Sequence, residues 1–193
     1  MMTQKLLSNR DRIRGVCAEL YANSGYHATG IAEISSAVGL GRGALYHYIG
    51  SKETLLYEIC GRQLAEMNAT AAALALEEPD PTIRLRELAR SLLRNIAEHK
   101  AEWSVFFREH GALTGARRDI IFAKRAEYEE HWRHAVDQAV RDGSFRPLPP
   151  LIIKGVLGMF NYSYLWLSID GPSTPEQIAD DFIDTLIEGM RKS

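Results

Sequence analysis

Cysteine is scarce in this chain of 193 residues, which contains only Cys17 and Cys60. Two thiols are too few for the disulfide framework of a small secreted domain, and a chain of this length can bury a core without one. Long apolar runs are also missing, so we expect no membrane span. Because no apolar amino-terminal run precedes a small-residue cleavage site, we expect a cytoplasmic protein.

An excess of positive charge is missing as well. The chain has 23 Lys+Arg against 25 Asp+Glu, a net charge of -2. This total argues against a nucleic-acid partner, because phosphate-binding domains usually carry a clear basic excess. The charge is uneven, however: residues 1–60 hold six basic and five acidic side chains, and the remainder holds 17 and 20. The amino-terminal third is therefore the less acidic part.

The period-two alternation of a β-strand is absent, whereas apolar residues recur at three- and four-residue spacing almost throughout. Glycine and proline mark the ends of these segments, and Pro79 with Pro81 indicates a boundary between a small amino-terminal module and a larger carboxy-terminal one. We therefore predict an all-α protein of about nine helices. They cover residues 13–24, 31–38, 42–48, 51–73, 82–98, 102–110, 116–141, 151–168 and 175–190.

Three short helices near the amino terminus, with a glycine turn between the second and the third, are typical of a helix-turn-helix. In that geometry Ile34 and Val38 face the core, Gly39 allows the turn, and Leu45 anchors the third helix from inside. The outer side of the third helix carries small residues, which allow the backbone to approach a groove wall closely. These small residues are Gly41, Gly43 and Ala44.

Polar side chains border the third helix. Arg42, His47 and Tyr48 can donate hydrogen bonds to phosphates or base edges. Lys52 lies at the start of the next helix, where its charge adds to the helix dipole and to free backbone amides, a combination that binds phosphate. These positions predict a surface for double-stranded DNA.

The same region resembles the TetR family of transcriptional regulators. The resemblance extends over residues 8–60 and rests on Gly-Tyr-His-Ala-Thr at 25–29, Gly-Leu at 39–40, Leu-Tyr-His-Tyr at 45–48 and Ser-Lys-Glu-Thr-Leu-Leu at 51–56. Gly30, Gly41 and Ile49 depart from residues common in the family. The resemblance implies a helix-turn-helix DNA-binding domain over residues 1–55. The DNA-binding residues it implies are Thr29, Arg42, Gly43, Ala44, Tyr46, His47, Tyr48 and Lys52.

Residues 56–193 are then expected to form a helical bundle for ligand binding and dimerisation. Most of the aromatic residues lie between positions 103 and 166, and a bundle rich in rings with polar tips can line an apolar pocket. The alternative for any one of them is an ordinary place in the core. The candidate ligand-binding residues are Trp103, Phe106, Phe107, Tyr128, Trp132, Phe160 and Tyr164.

A second resemblance concerns the ligand. Gly-Ser-Phe-Arg-Pro at 143–147, together with Trp166 and Gly-Pro at 171–172, resembles a branch of the family that senses acyl-coenzyme A thioesters. It implies a small apolar or acyl-CoA-type effector that releases a repressor from an inverted-repeat operator. Four arginines are candidates for the coenzyme's phosphates, with plain helix surface as the alternative. They are Arg108, Arg117, Arg118 and Arg125.

The last two predicted helices carry apolar stripes suited to a homodimer with two-fold symmetry, with Gly155 and Gly158 allowing close approach. One stripe consists of Ile152, Val156, Met159, Phe160 and Ser163, and the other of Ile178, Phe182, Ile183, Leu186 and Ile187. A packed intramolecular core is the alternative use of both stripes.

Two other classes of protein are compatible with parts of the sequence. The first is an architectural DNA-binding protein without an effector, whose aromatic body is solid core. The second is a metal-dependent enzyme using Glu127, His131 and His134, which share one face of a helix at a spacing that can seat a metal. No nucleophile and base pair accompanies these residues, so we expect no enzyme, no metal and no cofactor.

Overall fold

The computed structural model describes residues 9–191, which form nine α-helices and no β-strand, as the sequence predicts. Two short 3-10 helices, His110–Ala112 and Tyr162–Leu165, follow α6 and α8. No helix in this range is both long and apolar enough to span a membrane. The α-helices are α1 Asn9–Ser24, α2 Ile31–Val38, α3 Arg42–Ile49, α4 Lys52–Glu77, α5 Pro81–Glu98, α6 Lys100–Glu109, α7 Gly115–Arg141, α8 Ile152–Asn161 and α9 Pro175–Met190.

The predicted helix over residues 151–168 is wrong in its second half. The α-helix ends at Asn161, and the chain tightens into the 3-10 helix Tyr162–Leu165. The segment from Asn161 onward is rich in Asn, Tyr and Ser, which favour the α-helix less than Leu or Ala do. The tightening leaves Ser163 fully buried and exposes half of the Leu165 side chain.

The chain divides into two compact units. The first comprises the residues up to Arg62 together with Ala101–Ile121, and the second comprises Gln63–Lys100 and the residues from Phe122 onward. The first unit extends past residue 55 because Leu56, Ile59 and Cys60 on α4 are buried. The functional division at residue 55 stays a prediction.

The core of the first unit holds the helix-turn-helix in place. Ile34 and Leu45 are fully buried, so α2 and α3 are each anchored from inside. The turn between them begins at Gly39, whose φ of 69° lies in the left-handed region that favours glycine. The N–H groups of Gly39 and Leu40 donate to the carbonyls of Ser36 (3.2 Å) and Ser35 (3.0 Å). This Schellman motif satisfies the end of α2 and fixes the direction of α3.

Both cysteines are free and buried in the first unit. Burial raises the pKa of each thiol to about 12. Because the thiolate is the reactive form, Cys17 and Cys60 are inert packing groups.

In the second unit α5 and α9 are joined by a row of ion pairs. Asp180 accepts from Arg90 Nε at 2.7 Å and from Arg86 Nη1 at 3.2 Å, and Arg94 pairs with Glu176. The amino end of α9 is closed by a capping box: the Thr174 hydroxyl accepts the Gln177 N–H at 3.2 Å, and the Gln177 side-chain oxygen accepts the Thr174 N–H at 2.8 Å. The ion pairs hold α9 along α5.

Candidate nucleic-acid interface

Helix α3 turns one face inward and leaves the other free. Leu45 and Ile49 are buried, whereas Tyr46 is 45% exposed and Arg42 and His47 are exposed. The remaining members of the outer face, Gly41, Gly43 and Ala44, are exposed as well. A Cβ placed at Gly41 or Gly43 meets no atom within 4 Å. The outer face is therefore low, open and bordered by donors, as a groove-reading helix requires.

The arginines of α1 and α3 differ in their partners. Arg10 pairs with Glu58, Arg14 pairs with Asp11 at 2.6 Å, and Arg12 Nη1 donates to the Val38 carbonyl at 3.0 Å. Arg42 has no ion pair or hydrogen bond with any residue that the structure describes. The α1 arginines are thus occupied within the chain, and Arg42 is available to a phosphate or a base.

Arg12 has a role that the sequence did not reveal. Its guanidinium neutralises the carbonyl end of α2 at the turn. The contact joins residues 26 positions apart, so no local sequence pattern predicts it.

Lys52 lies in the first turn of α4, on an aromatic shelf. Its Nζ is 4.3 Å from the ring centroid of Tyr26 and 5.8 Å from that of Tyr21. Desolvation lowers the pKa of Lys52, and the nearby carboxylates of Glu109 and Glu33 offset part of that effect. The ammonium is therefore held in one place by ring faces rather than by a direct carboxylate partner.

Tyr48 and Thr29 lie differently from the exposed residues of α3. Tyr48 is half-buried, and its hydroxyl accepts from Asn9 Nδ2 at 3.3 Å, which leaves the O–H free to donate. Thr29 is fully buried, and its hydroxyl donates to the Gly25 carbonyl at 2.9 Å. We therefore remove Thr29 from the predicted DNA contacts, because its side chain closes the turn before α2 and does not reach the surface.

The seven candidate ligand-binding residues fall into both compact units. In the first unit Trp103, Phe106 and Phe107 form a ring cluster with centroids 5.0–5.6 Å apart. In the second unit the rings of Tyr128 and Trp132 are 6.4 Å apart, and those of Trp132 and Phe160 are 5.5 Å apart. Tyr164 is half-buried in the second unit.

Seven polar side-chain atoms in the described part of the second unit are buried without a hydrogen-bond partner. They include the Tyr128 hydroxyl, the Trp132 indole Nε1 and the Ser163 hydroxyl. Burial raises the pKa of Tyr128, and the neighbouring Trp132 offsets part of that rise, so the hydroxyl stays protonated at neutral pH. Buried polar groups without partners are rare in proteins, and each can form a hydrogen bond with an ordered water or another molecule.

A cavity of about 300 Å³ lies within the second unit among α4, α5 and α7. Its lining includes Ala71, Ala75 and Leu88 together with His131, whose Nε2 is also buried and unpaired. Desolvation lowers the pKa of His131. A second cavity, of about 320 Å³, lies under the proline-rich segment 147–150. None of the seven predicted ligand-binding residues lines either cavity.

The metal alternative receives no geometric support from the part of the chain that the structure describes. Within residues 9–191 no three His, Cys, Asp or Glu side chains are close enough together to hold a metal ion. Glu127, His131 and His134 line the rim of the cavity among α4, α5 and α7 instead.

Three of the four arginines proposed for coenzyme phosphates have protein partners. Arg108 donates to the Ala22 carbonyl at 2.9 Å, Arg117 pairs with Glu53 at 3.0 Å and Arg118 pairs with Asp119 at 3.3 Å. Arg125 is exposed. Through these contacts Arg108 and Arg117 join helices, which is neither the predicted coenzyme contact nor the plain helix surface given as its alternative.

Five of the ten residues in the apolar stripes predicted for a dimer are buried. They are Val156, Phe160, Ser163, Ile183 and Ile187. Gly155 and Gly158 on α8 are exposed. The segment from residue 151 to 169, which contains α8, also leaves apolar side chains exposed, and we call these the α8 face. They are Leu151, Tyr162, Leu165, Trp166 and Ile169.

Comparison with known proteins agrees with this architecture. The sequence profile described as "Bacterial regulatory proteins, tetR family" matches residues 15–59, and the profile "Tetracyclin repressor-like, C-terminal domain" matches residues 78–190.

Among curated proteins, the transcriptional repressor KstR2 of Mycolicibacterium smegmatis is 24% identical, over 96% of this chain and 92% of its own. The crystal structure of the TetR family regulator PfmR of Thermus thermophilus superposes with a TM-score of 0.87 and 32% identity, covering 94% of this chain and all of PfmR.

AibR, solved in complex with isovaleryl coenzyme A and operator DNA, superposes with a TM-score of 0.81 and 29% identity. The alignment covers 92% of this chain and 97% of AibR. These relatives are transcriptional regulators. The helix-turn-helix, the all-α body and the two matching profiles together establish that this chain belongs to the tetR family of bacterial regulatory proteins.

Proposed function

We propose that the protein is a cytoplasmic, homodimeric repressor without enzymatic activity, which binds an inverted-repeat operator and is released from it by a small effector. The observation that carries the DNA-binding part is the open face of α3, with the unpaired Arg42, next to the first turn of α4. An exposed helix with small residues at its centre and cationic groups at its border has the form of a major-groove reader.

The contacts with DNA divide by their place on this face. Arg42, Tyr46 and His47 project from α3 and are suited to base edges and the groove wall, while Gly43 and Ala44 allow close approach. Tyr48 is suited to a phosphate because its hydroxyl proton is free to donate. Lys52 is suited to a phosphate because it carries a positive charge at the start of a helix.

Dimerisation would use the α8 face, since exposed apolar side chains are the groups that self-association buries. The exposed Gly155 and Gly158 allow the same helix of a second subunit to pack closely. Two subunits related by a two-fold axis would present their α3 helices about one DNA turn apart (~34 Å), which matches a palindromic operator.

The effector would bind among Tyr128, Trp132 and Phe160, where buried donors lack partners, and these packed rings would separate to admit it. An indole N–H can only donate, so the group that meets it must be an acceptor such as a carbonyl oxygen. An acyl thioester combines such a carbonyl with an apolar chain. AibR, which was solved with isovaleryl coenzyme A, supports this chemical class.

Selection of bound sequences from a random duplex library, followed by fluorescence anisotropy, tests the DNA-binding part. We expect an inverted repeat to be enriched and to bind at least about 1,000-fold more tightly than random duplex, the lower end for specific regulators. Equal affinity for every duplex would refute the DNA-binding part of the proposal.

The effector part is tested by thermal unfolding with a series of acyl-CoA thioesters and the matching free acids. An effector at 100 times its dissociation constant would stabilise the protein by about 2.7 kcal/mol and raise Tm accordingly. The same compound should release the operator. If no thioester raises Tm, and the operator is still bound, the protein is an architectural DNA-binding protein and the effector part of the proposal fails.

A further inference from the structure

The first turn of α7 grips the first turn of α4 within the first compact unit. Arg117 Nη1 donates to Glu53 Oε2 at 3.0 Å, and Arg117 Nη2 donates to Thr54 Oγ1 at 2.8 Å. The hydroxyl of Thr114, just before α7, donates to Glu53 Oε1 at 3.3 Å. Both carboxylate oxygens of Glu53 are thus held from the α7 side. We call Glu53, Thr54, Thr114 and Arg117 the α4 clamp.

The α4 clamp continues into the cap of α4. Ser51 precedes the helix, and its Oγ accepts the Thr54 backbone N–H at 3.0 Å and lies 2.8 Å from Thr54 Oγ1. Arg117 occupies one lone pair of Thr54 Oγ1, and either hydroxyl can donate in the contact between Thr54 and Ser51. The guanidinium on α7 therefore orders the residues that begin α4.

The turn held in this way is the one that carries Lys52. It also follows α3 directly, because α3 ends at Ile49 and α4 begins at Lys52. A shift of this turn would move the Lys52 ammonium and the end of α3 together. The Arg117 and Glu53 side chains are 37% and 35% exposed, so their ion pair contributes little to global stability. The main effect of the ion pair is then to fix the position of the first turn of α4.

We propose that Glu53 and Arg117 are positioning residues for operator binding: through the α4 clamp they hold the first turn of α4 where Lys52 and α3 meet the DNA together. This inference rests on the proposed function. Neither residue needs to touch DNA.

The sign of one substitution separates positioning from simple electrostatics. Glu53→Gln removes a negative charge from the DNA-binding unit, and on charge alone every duplex should then bind more tightly. If Glu53 positions the turn, operator affinity falls by at least about fivefold, while affinity for random duplex does not fall. Glu33→Gln is the matched control, because Glu33 is exposed on α2, lies near Lys52 and has no part in the α4 clamp.

A double-mutant cycle supplies the second measurement. If the pair acts as a unit, Glu53→Gln and Arg117→Gln each weaken operator binding, and the double variant is no weaker than the worse single variant. Independent charges would instead give effects of opposite sign that add. Thermal unfolding should place all three variants within about 4 °C of the wild-type Tm, because the pair is partly exposed.

The outcomes test the proposed function and the role of the α4 clamp separately. A wild-type protein that does not prefer any inverted repeat refutes the proposed function, whatever the α4 clamp does. If the wild-type protein prefers its operator, the clamp proposal is overturned when Glu53→Gln binds the operator as tightly as Glu33→Gln does. It is also overturned if Glu53→Gln weakens operator and random duplex equally, or if the two single effects add.

Discussion

Lys52 combines two roles at the scale of the single residue. Its ammonium lies over the Tyr26 ring, and its backbone begins α4. We predict that Lys52→Ala weakens binding to all duplexes and lowers the slope of log affinity against log salt by about one per subunit, because one phosphate contact is lost. Fluorescence anisotropy at several salt concentrations measures this slope.

Lys52→Met separates the charge from the packing, because the methionine side chain keeps an apolar stem over Tyr26. It should lose the same amount of salt slope as Lys52→Ala. Lys124→Ala, on α7 in the second unit, should leave the slope unchanged. An unchanged slope in both Lys52 variants would take this residue off the list of phosphate contacts.

Tyr128 offers a test of the effector site in which stability and function change in opposite directions. Its hydroxyl is buried without a partner, so Tyr128→Phe removes an unsatisfied group and should leave the unfolding free energy of the free protein equal or higher by up to about 1 kcal/mol. The same variant should show a smaller rise of Tm with the effector. A lower stability combined with an unchanged effector response would mean that the hydroxyl is satisfied inside the protein.

The predicted DNA contact of the Thr29 side chain is not supported by its buried position, and the reason is instructive. Its place just before α2 makes it a natural candidate for a phosphate contact, yet the loop from Gly25 folds its side chain inward. The pairs Arg12–Val38 and Arg117–Glu53 were missed for the same reason. Contacts between distant positions depend on how helices pack, and spacing along the chain does not record them.

At the scale of the element, the row of ion pairs between α5 and α9 makes stability depend on acid. Hydrogen bonds from Arg90 and then Arg86 lower the pKa of Asp180, and a hydrogen bond from Arg94 lowers the pKa of Glu176. A carboxylate with a lowered folded-state pKa contributes stability above its unfolded value, near 4, and loses it as the pH falls through the lower folded value. Unfolding free energy should therefore decline as the pH drops below about 5.

Asp180→Asn should reduce stability at neutral pH by about 1 kcal/mol and flatten this acid decline, as measured by urea unfolding at several pH values. Asp181→Asn is the matched change on the exposed side of α9 and should shift stability by less than about 0.5 kcal/mol. Equal effects of the two substitutions would show that the α5–α9 pairs contribute no stability.

The capping box at the start of α9 gives a second prediction for an element. Thr174→Ala removes the acceptor of the Gln177 N–H and should cost about 1 kcal/mol. Thr185→Ala, in the exposed interior of the same helix, should instead leave stability equal or slightly higher, since alanine favours the helix more. Thermal unfolding that ranks the two variants in the reverse order would contradict the role of the cap.

Most element ends were predictable because their causes are local. Gly39 ends α2, Pro81 begins α5 and Pro175 begins α9, each within a residue of the predicted boundary. The early end of α8 was not predictable from periodicity, because apolar residues continue with helical spacing to Trp166. The buried Ser163 and the change to a 3-10 helix decide which of those residues face outward.

At the scale of the whole molecule, the α8 face predicts that association and operator binding are lost together. Leu165, 50% exposed within this face, can be replaced by a charged residue without disturbing the core. Leu165→Lys should yield monomers in sedimentation equilibrium and reduce operator affinity to that of a single half-site. Leu76→Lys, at a position 90% exposed on α4, should remain dimeric. Persistent dimers of Leu165→Lys would move the interface elsewhere.

The net charge of -2 misled as a total, and the structure sharpens the reason. The basic side chains on α1 are occupied by Glu58, Asp11 and the end of α2. The residues proposed to meet DNA are Arg42, at the start of α3, and Lys52, which lies over the Tyr26 ring. The positions of Arg42 and Lys52 at helix starts could be predicted from the motif. The partners of the α1 arginines could be seen only in the packed structure.

Gly43 has a consequence for how such a regulator diverges after gene duplication. A Cβ added there meets no other atom within 4 Å, and replacing a helical glycine gains up to about 1 kcal/mol. If α3 meets the bases as proposed, a single codon change can place a new group against them without a penalty in folding. Tyr128 and Trp132, which belong to the other compact unit, are untouched by it. Two copies of this protein can thus come to control different genes while answering the same chemical signal.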